Sequence, residues 1–556
     1  MDGFFYGELQ ATLEQVEGLM SADADPKRPY DFKYQARELL TQLKSSPLLA
    51  ADRPIKGTAA VAIIEYLLGG NHFETEEITQ GEIHYRLALD LFLGLDTADY
   101  LPYLNTIQDL LNSLGIITAN RGENDEGLEL FMKAEELHRV LLSRQDIGGV
   151  FTSTFSDFML DRDSEFRFII DGGLNLRKAE QSYTLTMFYL AQCHSKTGDK
   201  QTAAQYCGET MKRQLLSGDY LPKDWAINTV NLADYYVENH YYNQAFYTLQ
   251  CGFKVIPEGK KRKLRATLHM QTGRCLAALM EHAVNVSTQQ DEISPNIAFQ
   301  ALLFEPLGVP WPSLAVPREL NAAKELFKQT FNYLKTALEF FVIDGYVTEH
   351  IELKRDMSSL YKHLCIFEPS PVKVTAMLER RLELLEGFTK EINKQAYARL
   401  WQQLMNEVAS IYIEIYECRT AKSEKKLRKG SAGPDLYNEI NQPALNSIER
   451  QVELLDFVEK FEKNDDTAKD IHQSALNLMF GIARIYSKLE HCEVKTKVGF
   501  MEKSLRWYER IVNFLQELRT GQWAKFVPDV EEQMRISQEM VALLPMRISQ
   551  VNYGEG

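Results

Sequence analysis

Apolar residues recur along the first half of the chain at the spacing of paired amphipathic helices. Four times, a leucine followed by a small residue is followed, thirteen positions after the leucine, by another small residue. Small residues are favoured where two antiparallel helices touch, because larger side chains push the helix axes apart. This spacing is typical of tetratricopeptide-type helix–turn–helix repeats. The four copies are Leu68-Gly69 with Gly81, Leu114-Gly115 with Gly127, Leu190-Ala191 with Ala203, and Leu232-Ala233 with Ala245.

Aromatic residues complete two of these copies, with Tyr85 after Gly81 and Phe131 after Gly127. The leucines that start the copies lie 46, 76 and 42 positions apart. Because the usual period is about 34 residues, we expect longer helices or inserted connections, the largest insertion at 146–176. The pattern predicts helix pairs at about 56–95, 99–143, 177–216 and 223–256.

Prolines divide the chain between these repeats and a second helical region. Residues 286–318 contain five prolines, which cannot continue a helix. We therefore predict an N-terminal helical-repeat half at 1–285, a Pro-rich linker at 286–318 and a C-terminal half of degenerate helical repeats at 319–556. The predicted fold is all-α: an α-solenoid of tetratricopeptide-like helix pairs in two halves that form a concave superhelix. A basic, Gly-containing loop is predicted at 419–441.

Composition and charge narrow the class of partner. The 556 residues are 45% hydrophobic and 25% charged, which is typical of a globular chain. The formal net charge of −16 argues against a nucleic-acid or anionic-membrane surface, since both need concentrated Lys and Arg. An acidic surface suits a partner with a basic face, or it serves only solubility.

Neither the start of the chain nor its cysteines indicate secretion. The start MDGFFYGELQ lacks the pattern of a signal peptide, and no run of about 18 apolar residues predicts a membrane-spanning helix. The seven cysteines are scattered, as in a chain with reduced thiols. We therefore expect a cytoplasmic, cytoskeleton-associated protein with no membrane insertion.

Motifs of enzymes do not appear in the chain. There is no phosphate-binding loop, no Gly-x-Ser-x-Gly elbow and no His-Glu-x-x-His zinc helix. We predict no catalytic, cofactor or metal site, no enzymatic activity and no small-molecule substrate. Trp225, at the start of a repeat helix, is either an anchor for a partner or packing between helix pairs, and packing is favoured.

Several segments, read in order, resemble the kinesin-binding protein family. They include YLAQCHSKTGDKQTAAQYCGETMKRQL at 189–215, FFVIDGYVTEHIEL at 340–353 and SQEMVALLP at 537–545, and the likeness is collinear from about residue 30 to 548. The resemblance implies a protein that is not an enzyme, needs no cofactor and binds kinesin motor domains. It also implies that binding keeps the motor off the microtubule and so regulates microtubule-based transport.

The repeat register predicts which side chains face the groove of such a scaffold. We expect a concave lining from the first helices of the repeats, which an acidic solenoid can present to the basic face of a motor. A generic repeat adaptor or co-chaperone scaffold is the alternative. Capture of an acidic peptide tail is disfavoured, because carboxylates lie among the expected positions. The predicted partner-binding residues are Asn112, Asn120, Gln192, Lys196, Asp234 and Glu238.

Overall fold

The computed structural model describes residues 2–22, 25, 27–46, 54–96, 103–143, 176–288, 301–428, 433–460, 468–520 and 531–554. Within these ranges the regular elements are helices, and no β-strand occurs among them. The prediction of an all-α solenoid is confirmed. All but the last residue of the predicted insertion at 146–176 lies outside the described residues.

The chain divides into two compact units, the first comprising Met1–Asn239, Gln250–Val255 and Gln300–Pro310. Each predicted repeat of this region coincides with two successive helices. The helices are α1 Asp2–Met20, α2 Asp31–Lys44, α3 Pro54–Glu74, α4 Ile78–Leu93, α5 Leu104–Arg121, α6 Asn124–Ser143, α7 Leu176–Thr197, α8 Lys200–Ser217, α9 Pro222–Glu238 and α10 Tyr242–Val255, the last divided between the units.

Glycines in the repeat template let paired helices approach closely. A Cβ atom added at Gly115 of α5 would lie only 2.7 Å from Cζ of Phe131 in α6. One added at Gly127 would lie 3.2 Å from the Gly115 carbonyl oxygen. The Phe131 ring, which is fully buried, therefore occupies the space that a side chain at 115 would need. Gly69 and Tyr85 make the same arrangement between α3 and α4.

The third and fourth helix pairs begin and end at recognisable signals. Asp199 accepts a hydrogen bond from the Thr202 amide and so caps α8, while Gly218 ends it with a left-handed backbone. Pro222 stands in the first turn of α9, where the missing amide hydrogen costs nothing. These signals fix a short connection at 218–221 and bring α7, α8 and α9 together as neighbours.

Trp225 belongs to the core of the first unit. Its side chain is 1% exposed, and Nε1 donates to the Met211 carbonyl oxygen at 3.0 Å. The ring meets Phe304 edge-on, with centroids 5.1 Å apart. The preferred interpretation of this tryptophan as packing is confirmed.

The second unit comprises His240–Leu249, Ile256–Phe299 and Trp311–Gly556. Its largest described core gathers around Trp401, Met405, Leu455 and Met479, all fully or almost fully buried. The helices that follow α10 are α11 Arg262–Thr288, α12 Leu320–Leu338, α13 Val347–Phe367, α14 Pro371–Leu385, α15 Phe388–Glu391, α16 Ala398–Arg428, α17 Pro434–Val458, α18 Ala468–Lys488, α19 Val494–Thr520 and α20 Glu531–Asn552.

The predicted loop at 419–441 is wrong over most of its length. Helix α16 continues to Arg428, and α17 already begins at Pro434. The charged run of Lys, Glu and Arg consists of good helix formers, and a proline is tolerated in the first turn of a helix. Residues 429–432 lie outside the described ranges. The predicted boundaries of the two halves and of the linker stay predictions.

Candidate functional site

A groove in the first unit runs beside α7, α8 and α9. It consists of two adjoining cavities of about 520 and 790 Å³, and both are lined by Phe188 and Asn228. We call them together the first-unit groove, with a charged end and an apolar end. Helices α7 and α9 are the first helices of their pairs, so the groove lies where a tetratricopeptide-type scaffold presents its binding face.

Four of the six predicted partner-binding residues line the charged end. Gln192 and Lys196 lie four positions apart on α7, and Asp234 and Glu238 lie four positions apart on α9. All four side chains are exposed. Residues four apart share one face of a helix, so each helix presents a pair of polar groups to the groove.

Ionic contacts position the side chains of the charged end. Lys200 Nζ of α8 lies 2.7 Å from Glu238 Oε2, although both groups are well exposed. Lys196 Nζ lies 3.5 Å from the Ala119 carbonyl oxygen, near the C-terminus of α5. The helix dipole stabilises a positive charge at this end of a helix. Exposed pairs of this kind stabilise the fold by about 1 kcal/mol at most, so these charges stay available to a partner.

The prediction that Asn112 faces outward is wrong. Its side chain is 2% exposed, because α7 packs over this face of α5. Nδ2 donates to the Ser182 carbonyl oxygen at 3.0 Å, and Oδ1 accepts from Thr186 Oγ1 at 2.8 Å. The amide therefore ties two repeats together. Asn120 is exposed on α5 but is not among the residues that line the groove.

The apolar end contains residues that the sequence did not single out. Leu185, Leu216 and Leu221 line it with 42%, 66% and 69% of their surface exposed. Large apolar side chains with this exposure are candidates for contact with a partner when they lie together. The sequence does offer one signal for Leu216 and Leu221. They lie on either side of the α8–α9 turn, where buried core residues are not expected.

Carboxylates outnumber basic side chains along the groove. Its two ends are lined by five carboxylates, from Glu180, Asp219, Asp224, Asp234 and Glu238, and by three basic side chains, from Lys196, Lys200 and Arg213. The groove therefore carries an excess of negative charge, as the whole chain does.

Glu180 is the most strongly held of these carboxylates. His138, whose Nε2 lies 3.4 Å from Glu180 Oε1, keeps the pKa of this carboxyl below its usual value, and the Arg213 guanidinium acts in the same direction. Glu180 is therefore ionised at neutral pH. Arg213, which lines the apolar end of the groove, also lies over the Tyr183 ring, 4.8 Å from its centroid. This contact restrains the position of the guanidinium.

The groove offers polar and apolar binding surface. Burial raises the pKa of Cys207, which lines the charged end, to about 11, so this thiol is a poor nucleophile at neutral pH. Across the described ranges no three His, Cys, Asp or Glu side chains come together as a set that could hold a metal ion. In the same ranges every helix is too short or too polar to cross a lipid bilayer.

Comparison with known proteins finds relatives among KIF-binding proteins. Residues 313–551 match the family model described as KIF-1 binding protein C terminal. A KIF-binding protein of Gallus gallus is 26% identical over 589 residues, which cover 97% of this chain and 96% of that protein. The resemblance to the kinesin-binding protein family is confirmed. A KIF-binding protein of Danio rerio is 27% identical over 547 residues, covering 89% of this chain and 83% of that protein.

A solved structure agrees with this family at the level of fold. The structure titled "Kinesin binding protein (KBP)" covers 97% of this chain, and the match spans 98% of that chain. Its TM-score is 0.61 at 24% sequence identity. The likeness to kinesin-binding proteins therefore includes both units of the chain.

Proposed function

We propose that this protein binds the motor domains of kinesins through the first-unit groove and has no enzymatic activity. The observation that carries the proposal is the likeness to KIF-binding proteins over 97% of the chain. The groove supplies a surface suited to such a partner. Asn120 remains a candidate for contact outside the groove, whereas the burial of Asn112 removes it from the proposed interface.

Electrostatic complementarity supports this choice of partner. Tubulin is acidic, so the face with which a motor engages a microtubule has to be basic. A groove with more carboxylates than cations attracts that face and repels acidic surfaces, including tubulin itself. Such long-range attraction speeds the encounter of two proteins more than it raises their affinity.

The apolar end supplies the short-range part of the interaction. Burying exposed leucine side chains stabilises a complex by roughly 25 cal/mol for each Å² of apolar surface removed from water. Leu216 and Leu221 are the most exposed apolar side chains of the groove. A partner that pairs basic groups with the charged end and apolar groups with these leucines is held in one register.

The consequence for transport is inhibition by exclusion. A motor whose microtubule-binding face is occupied by this scaffold cannot also engage the filament, since the two partners compete for one surface. The protein then regulates microtubule-based transport, and it acts in the cytoplasm, where the microtubule cytoskeleton lies. Neither a nucleic acid nor a small-molecule substrate is needed for this action.

Microtubule co-sedimentation tests the proposal. A purified kinesin motor domain is mixed with microtubules and increasing amounts of this protein, and the motor in the pellet is measured. We expect the motor to move into the supernatant in a saturable manner. A motor that pellets in full at saturating protein contradicts the mechanism. A pull-down with isolated motor domains separates binding without exclusion from no binding at all.

A salt titration tests the electrostatic part separately. Because exposed charges are screened within about 10 Å at 0.1 M salt, the affinity for a motor domain should fall as the salt concentration rises. An affinity that is equal at low and high salt contradicts the role of the charged end. Capture of an acidic peptide tail, as by a co-chaperone, is disfavoured because the carboxylates of Asp234 and Glu238 at the charged end would repel it.

A further inference from the structure

A second groove, in the second unit, differs from the first in its chemistry. It is a cavity of about 570 Å³ beside α16, α17 and α18. Helix α16 contributes Gln402, Asn406 and Ser410, which follow one another at intervals of four residues on one helix face. Helix α18 contributes Ser474 and Asn477. We call this cavity the amide groove.

The polar side chains of the amide groove keep unused hydrogen-bonding capacity. Within the described part of the chain, the side chains of Gln402, Asn406, Ser410 and Ser474 bond to no other residue. Asn477 Oδ1 accepts from Gln473 Nε2 at 3.0 Å, which leaves the Asn477 amide nitrogen to donate. An amide side chain offers both donors and an acceptor, as a peptide group does.

The remaining lining consists of apolar residues, one ion-paired carboxylate and Gln451, whose Nε2 donates to Ser447 Oγ at 3.1 Å. Leu454, Val458 and Leu478 are buried beneath the polar side chains and form an apolar floor. Glu414 is the one charged residue in this lining, within the described ranges, and its Oε2 lies 2.9 Å from NH1 of Arg381. The amide groove therefore offers hydrogen bonds and apolar contact, and it offers almost no charge.

The spacing of the polar side chains fits the repeat of an extended peptide. Four residues of α-helix rise by about 6 Å, and two residues of an extended chain rise by about 6.6 Å. Side chains at Gln402, Asn406 and Ser410 can thus meet every second peptide group of a strand that runs along α16.

We propose that the amide groove binds an extended, uncharged polypeptide segment of a partner through its main chain. Side-chain amides hydrogen-bond the peptide groups, and every second side chain of the segment points toward the apolar floor. A helical segment does not fit this chemistry, because its main-chain groups are already bonded within the helix. A phosphate-bearing ligand needs cations that the lining lacks.

A random library of 16-residue peptides displayed on phage tests this site on the full-length protein. Selected peptides are synthesised and their affinities measured against the wild type and the double variant Asn406→Ala/Asn477→Ala. Because each amide makes one or two hydrogen bonds to the segment, we expect an affinity loss of about tenfold or more. The variant Gln442→Ala changes an exposed amide of α17 that does not line the groove, and it should bind as the wild type does.

Methylated peptides test main-chain recognition. Replacing one peptide N–H at a time by N-methyl should weaken binding at every second position, because only alternate peptide groups face α16. The variant Asn406→Asp/Asn477→Asp keeps the side-chain size and removes the donors, so it should also lose affinity. Its circular dichroism spectrum shows whether the fold is kept.

The outcomes are distinct from those of the kinesin experiments, since no motor protein takes part. The proposal is overturned if no peptide is selected, or if the selected peptides bind the double alanine variant as tightly as the wild type. It is also overturned if N-methylation has no alternating effect, or if the bound peptides are helical.

Discussion

The two units hold their helices together by different means. In the first unit, two helix pairs meet at glycines against which a ring of the partner helix packs, as Phe131 packs against Gly115 and Tyr85 against Gly69. In the second unit, a buried polar network joins three helices. A Cβ atom added at Gly273 would lie only 2.5 Å from Cδ2 of Leu334, so close glycine contacts also occur in the second unit.

The polar network of the second unit is centred on Arg381 of α14, which is 2% exposed. Its Nε donates to Ser358 Oγ of α13 at 3.2 Å, and its NH1 donates to Glu414 of α16 at 2.9 Å. Ser358 donates in turn to Glu407 at 2.8 Å, and Glu407 also accepts from Arg355. A repeat template is therefore one of several ways to build a stack of helices.

The largest effect is expected from filling a glycine contact of the first unit. In Gly115→Leu, the new side chain overlaps the fully buried Phe131 ring, which has no room to move. We expect a loss of about 3 kcal/mol or more in the free energy of unfolding, measured from urea unfolding curves.

Gly499→Ala is the control at an open glycine position in the second unit. This glycine lies within α19, and an added Cβ meets nothing within 4 Å. Alanine should therefore stabilise the protein by about 0.5–1 kcal/mol. Equal effects of the two substitutions would show that the glycine contact has no special role in the first unit.

The next largest effect is expected from Arg381→Ala, which opens the polar network of the second unit. Breaking a buried ion pair costs about 3–5 kcal/mol, and we expect the lower end because the Glu414 side chain is 38% exposed and can be rehydrated. The neighbouring Arg380→Ala removes an exposed pair with Glu383 and should cost less than about 1 kcal/mol. Similar urea midpoints for both variants would contradict a structural role of the network.

The two grooves should respond differently to charge. The double variant Asp234→Lys/Glu238→Lys reverses two groove charges and should weaken kinesin motor binding about tenfold or more, because close like charges repel. Glu129→Lys/Glu209→Lys makes the same change in net charge at exposed positions away from the groove, and motor binding should change little. Peptide binding to the amide groove should be the same in both variants. Isothermal calorimetry measures all three, and equal loss in both variants would assign the effect to net charge alone.

The smallest effect concerns acid sensitivity. Burial lowers the pKa of His363, and also those of His269 and His282, in the second unit. A histidine with a lowered pKa in the folded state stabilises the fold fully above about pH 6.5, and the contribution is lost as the pH falls toward the folded pKa. In the first unit the pKa of His72 is lowered too. The lowered pKa of Glu180 changes the stability of that unit only below about pH 4.5.

We therefore expect the second unit to lose stability first between pH 6.5 and 5.5, with a contribution of at most about 1.4 kcal/mol from His363. Hydrogen exchange measured across this range reports the two units separately. In His363→Gln the pH dependence of the second unit should be smaller. An unchanged dependence would mean that this histidine does not contribute.

Much of the first unit was predictable from local spacing. The leucine and small-residue pattern places the helix pairs, because the contact between two helices of one hairpin depends on residues only 12 to 16 positions apart, such as Gly115 with Gly127 and Phe131. The same register singled out Gln192, Lys196, Asp234 and Glu238, which line one groove, and their contact with a partner stays a prediction. It failed at Asn112, because packing of α7 over α5 joins residues that are 70 or more positions apart.

The sequence by itself determined the all-α class, the helix pairs of the first unit, the acidic character and the resemblance to kinesin-binding proteins. These depend on composition and on contacts within one hairpin, which periodicity records. Only the tertiary structure decided which polar side chains are buried, that Leu216 and Leu221 border a groove, and that three helices of the second unit share the Arg381 network. Such features depend on which helices become neighbours in space. The packing of whole helix faces against one another determines those neighbours.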